Sequence, residues 1–68
     1  MPVVKVVELL GESETSWEHA IQEAVSTASE TIRNISGIEV LNMTASIENG
    51  KISKYKANMN VAFSVDDT

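Results

Sequence analysis

Cysteine is absent from the sequence, and His19 is the lone histidine. No disulfide can staple the fold, and no second imidazole or thiolate exists to join His19 in a structural metal site. Partner subunits remain as the support for so short a chain: at 68 residues a domain buries only about 60% of the surface its unfolded form exposes. The lack of cysteine also fits a reducing cytoplasm. No apolar run approaches the roughly 18 residues of a membrane span. The opening MPVVKVVELLG lacks the long apolar region and small-residue cleavage site of a signal peptide. Bases are few: ten acids against five give a formal charge of −5, which repels nucleic-acid phosphates and anionic membranes alike. Also missing at recognisable spacing are a nucleophile with its base, paired carboxylates, a metal cluster and a phosphate loop, so catalysis is not expected. His19 lies one helical turn from Glu23 and reads as a solvated surface residue.

What is present is patterning. Val3 to Leu10 is β-branched and apolar, broken by Lys5 and Glu8, and predicts a strand ending at Gly11. Thr15 followed by Glu18 has capping-box spacing, which predicts a helix from near Ser16. Trp17, Ala20, Ile21, Ala24, Val25, Ala28 and Ile32 recur at three- and four-residue intervals. They form one stripe over about four to five turns, which Asn34 to Gly37 should end. Trp17 reads as core or interface packing.

Beyond Gly37 the period becomes two: Leu41, Met43, Ala45 and Ile47 alternate with Val40, Asn42, Thr44 and Ser46. Asn49-Gly50 marks a tight hairpin, since both residues tolerate positive φ. In the returning strand Tyr55, Ala57, Met59, Val61, Phe63 and Val65 share one face, and Lys54, Lys56, Asn58, Asn60 and Ala62 share the other. These elements predict an α+β fold, βαββ, with residues 1–68 as a single domain. The antiparallel/mixed sheet should have order 1-3-2, its first two strands parallel through a right-handed crossover. The helix should cover the face of Leu41, Met43, Tyr55, Met59, Val61 and Phe63. The bare opposite face, polar and uncharged in its middle at Asn42, Thr44, Ser46, Asn58 and Asn60, suits subunit contacts. Acids gather early (Glu8, Glu12, Glu14, Glu18, Glu23) and bases late (Lys51, Lys54, Lys56), a polarity able to pair neighbouring copies.

The segments VVELLGES, TSWEHAIQEAVSTASETI, GIEVLNM and KYKANMNVAFSV, in this order and spacing, resemble the dodecin family over nearly the whole chain. The resemblance implies βαββ subunits assembled into a hollow homododecameric shell that binds or stores flavins such as riboflavin or FMN without catalysis. It places Gly37, Ser46 and Lys56 at flavin-slot positions. Flavin-binding members carry a stacking Trp where Gly37 stands and a Gln, pairing with the flavin pyrimidine edge, where Lys56 stands. Lysine donates but cannot accept. Loss of a stacking ring, worth roughly 1–3 kcal/mol by analogy with nucleobases, implies weakened flavin binding. A branch lacking that Trp, with a similar S-W-E helix start, is associated with calcium, and this chain is similar to it. Calcium takes six to eight oxygens, which implies symmetry-related copies of a carboxylate or amide; Glu12, Glu14, Glu39 and Asn42 are the candidates. Glu39 lies in the shared x-E-V segment, where an intersubunit ion pair with Arg33 or a lysine is the plainer role. A purely structural assembly without a ligand is the alternative reading.

Overall fold

The computed structural model describes residues 3–65. Strand β1 (Val3–Ser13) is followed by helix α1 (Trp17–Ser29) and then by strands β2 (Ile35–Glu48) and β3 (Lys51–Val65). The sheet order is β1-β3-β2. Both outer strands run antiparallel to β3, hence parallel to each other, as the crossover predicts. No helix among the described residues is long and apolar enough to cross a membrane.

Strand β1 does not stop at Gly11. It stays paired with β3 from Val3↔Val65 to Ser13↔Tyr55, and Gly11 serves a different purpose. A Cβ there would collide with the Ala20 carbonyl oxygen and lie 3.1 Å from the Ala24 Cβ. The helix therefore crosses β1 in direct backbone contact, which only glycine permits.

The helix start falls one residue after the expected cap. Ser16, not Thr15, is the N-cap, its hydroxyl accepting the His19 N–H at 3.0 Å. The third helical residue is thus His19, and Glu18 sits in the first turn, where the helix dipole favours an acid. The helix is also shorter than the apolar stripe suggests. Glu30 N–H turns back to Thr27 O, and the N–H groups of Thr31 and Ile32 both reach Ala28 O. Ser29 Oγ donates to Val25 O at 2.8 Å, a back-bond that weakens the last turn. Asn34 takes a left-handed φ of 64°, and its carbonyl accepts the Ser64 N–H. Ile35 to Gly37 consequently belong to β2 instead of ending the helix.

The helix covers only part of the sheet. Ala57, Met59 and Val61 of β3 are fully buried, with Val7, Leu9, Ile21, Ala24 and Ile35 packed on them. Helix α1 packs on β1 and β3. The expectation that Leu41 and Met43 lie beneath it fails: they are 43% and 54% exposed. Two causes combine. The helix follows β1 through Gly11, and a bulge between Val40 and Asn42 leaves Leu41 without a partner while Val40 pairs with Met59. Tyr55 and Phe63 are half-buried. Trp17 packs edge-on to Tyr55, with ring centroids 4.8 Å apart, and donates its Nε1–H to Thr44 O at 2.8 Å. It is a packing residue that ties the helix start to β2.

The chain is long and thin, 53 × 20 × 13 Å with a radius of gyration of 14.1 Å. A compact chain of this length has about 11 Å.

Candidate functional site

The register places the sheet face turned away from α1 in successive rows across β1, β3 and β2. They are Val6–Ala62–Gly37, Glu8–Asn60–Glu39, Leu10–Asn58–Asn42 and Glu12–Lys56–Thr44, with Lys54–Ser46 beyond. The middle is polar as alternation predicts but not uncharged: Glu8 pairs with Asn60 from β1, and the Val40–Asn42 bulge brings Glu39 onto the same face as Asn42. Asn58 Nδ2–H donates to Asn42 Oδ1 at 2.9 Å, and Asn60 Nδ2–H donates to Glu39 Oε1 at 3.4 Å. Adjacent rows are about 7 Å apart along the strands. Two carboxylates and three amides thus share two neighbouring rows, a surface made of hard oxygen donors.

The four metal candidates separate into two pairs. Glu39 and Asn42 belong to this oxygen-rich patch. Glu12 and Glu14 stand at the end of β1 in a shallow cleft with Ser13 and Lys54. Glu12 there meets Lys54 Nζ at 4.0 Å, both side chains about half exposed, a pair worth less than about 1 kcal/mol. Among the described residues no three of His, Cys, Asp or Glu converge as a metal would need. Glu8, Asn58 and Asn60 complete the patch and were not among the ligand candidates. Their signal was the alternation itself, since Glu8 falls opposite Asn60 once β1 is paired with β3.

The flavin-slot positions are also dispersed. Gly37 lies opposite Ala62 and Lys56 opposite Thr44, six β3 residues apart, or roughly 20 Å. Ser46, opposite Lys54, is farther still. One subunit keeps Lys56 and Ser46 in neighbouring rows and leaves Gly37 apart from both. Gly37 opens onto free space, with nothing within 4 Å of an added Cβ.

His19 is exposed, as expected of a surface residue, but its ring has hydrogen-bonding company. Its Nδ1 lies 2.7 Å from Ser13 Oγ, and Nε2 lies 4.0 Å from Glu23 Oε2. Ser13 is buried, 7% exposed, and its oxygen already accepts the N–H groups of Thr15 and Ser16. The hydroxyl is a latch across the strand-to-helix turn, closed to a substrate.

A three-stranded antiparallel sheet of order β1-β3-β2, half covered by one helix, defines a small βαββ protein of the dodecin fold. The chain belongs to the dodecin family, whose model matches residues 3–66. It is 35% identical over 66 residues to the dodecin of Thermus thermophilus, spanning 97% of this chain and 96% of that one. A solved Thermus thermophilus protein superposes with a TM-score of 0.95 at 34% identity, covering all of both chains. The solved calcium dodecin of Mycobacterium tuberculosis, described as calcium-chelating with a calcium-binding site, superposes with a TM-score of 0.83 at 33% identity over 97% of this chain and 94% of that one.

Proposed function

We propose that this protein is a non-catalytic cytoplasmic dodecin whose copies close into a homo-oligomeric shell, twelve in number as in the family it resembles, and that the shell holds a small molecule or divalent ion. The observation that carries the assembly is the uncovered apolar surface. Ile38, Val40, Leu41 and Met43 are 36–54% exposed along β2, and Val4, Val6 and Leu10 are 54–57% exposed along β1. The β1 strip lies on the face away from the helix and the β2 strip centres on Val40 and Met43 of the helix side. A single twofold contact cannot cover both. Two kinds of interface are needed, and closed assemblies with more than one kind of symmetry axis supply them.

Calcium is the ligand the chemistry favours over flavin. Glu39, Asn42, Glu8, Asn58 and Asn60 offer oxygens, the donors calcium takes, and Glu12 and Glu14 add a second acidic point nearer the β1 end. One subunit is too sparse to fill a calcium shell, so copies must contribute. Gly37 supplies no ring on which a flavin could stack, and Lys56 supplies a donor without an acceptor. Thermal melting in excess chelator and in millimolar calcium tests the ion: binding to the assembled form alone raises the midpoint. An unchanged midpoint, together with tight quenching of riboflavin fluorescence by the wild-type protein, reverses the order of the two ligands.

A further inference from the structure

The hairpin tip carries a chemistry that the turn does not require. Asn49 and Gly50 form the two-residue loop between the Glu48↔Lys51 pair, both exposed and both left-handed, with φ of 53° and 75°. These are the signs that a type I′ turn demands. The same dipeptide leaves the Asn49 amide carbon beside a backbone nitrogen that no side chain shields.

The other four asparagines are placed differently. Asn42 and Asn58 are hydrogen-bonded to each other, and Asn60 donates to Glu39. Asn58 and Asn60 precede the fully buried Met59 and Val61. Asn34 is exposed, but the β-branched Ile35 follows it and crowds its neighbouring nitrogen.

We infer that Asn49 is the chain's site of spontaneous deamidation, and that the modification acts on the register of β2 against β3. The Gly50 backbone nitrogen bonds to Asn49 Cγ, the Cγ–Nδ2 bond breaks, and ammonia leaves with the proton that the nitrogen gave up. Water then adds across one of the two ring C–N bonds, leaving aspartate or isoaspartate. No oxidant or other co-reactant is consumed. Aspartate tolerates the left-handed region and keeps the turn. Isoaspartate lengthens the main chain by one carbon inside a loop whose length sets the pairing of Ile47 with Ile52. Either product adds a negative charge beside Glu48 on a chain already at −5.

The test is to age the purified assembly in warm, mildly alkaline buffer. Ion exchange, peptide mass spectrometry and methyl-acceptor capacity toward an isoaspartyl carboxyl methyltransferase then follow the product. The expected result is loss of the Asn49 amide while the other four persist, a shift of one negative charge per chain, and new methyl-acceptor capacity. Asn49→Gly keeps both left-handed positions and should abolish all three changes. Conversion of Asn34 or another asparagine before Asn49 overturns the inference, as does an aged Asn49→Gly protein that shifts as fast as wild type.

Discussion

The two halves of the sheet are built from similar residues and meet different fates. In the half formed by β1 and β3 beneath α1, Ala57, Met59 and Val61 are fully buried. In the half formed by β2, Val40 and Met43 pair directly with Met59 and Ala57 yet stay 36% and 54% exposed. Hydrophobic content does not separate them; the path of the helix does. A chain with one helix of 13 residues can cover two strands, and the third strand's apolar side chains stay exposed. The lesson is that the helix-covered face of β1 and β3 supplies the core of the subunit, and that the apolar side chains left exposed, on β2 and on the far face of β1, are the surface on which the proposed assembly rests.

The comparison breaks most severely at Met59, which serves both halves. Met59→Ala should cost about 2–5 kcal/mol, read as a lowered chemical-denaturation midpoint. A loss below about 1 kcal/mol would mean that the two halves do not share this residue as a core. Met43→Lys tests the uncovered half. On a solvated monomer it should be nearly silent, within about 0.5 kcal/mol. Under a partner it removes a buried side chain worth about 1.5–3 kcal/mol and strands a charge, so the assembled mass should fall in light scattering. Gly11→Ala tests the crossing of α1 over β1. The added methyl has no room and should destabilise by about 1–3 kcal/mol, with a lower melting temperature as readout. The smallest effect belongs to the link between halves: Trp17→Phe keeps a ring against Tyr55 but deletes the hydrogen bond to Thr44 O, worth about 0.5–1.5 kcal/mol. Equilibrium unfolding of wild type and variant checks it.

Element types, strand order and directions were legible because period-two alternation and the Asn49-Gly50 turn are local signals. The alternation of β3 was also the most faithful guide to burial. The helix end was not legible, because Ile32 continues the apolar spacing while the terminating contacts of Thr31, Ile32 and Asn34 come from the turn and from Ser64 on a distant strand. Gly11 looked like a strand breaker because its true constraint, the Ala20 carbonyl, is nine residues away in sequence. Covering Leu41 and Met43 was a fair expectation from alternation, but alternation names a face without saying how far a helix reaches across it. The site was legible only in part for the same reason. Glu39 and Asn42 were visible as single residues, whereas Glu8, Asn58 and Asn60 join them only once the register is known. The roughly 20 Å between Gly37 and Lys56 is likewise a property of the pairing, not of the spacing along the chain.

The central claim is that the exposed strips on β1 and β2 belong to contacts between copies. Sedimentation or light scattering of the wild-type chain at micromolar concentration addresses it directly. The account predicts one closed species larger than a dimer, at twelve subunit masses, with no populated folded monomer; a stable, folded monomer with both strips in water would contradict it.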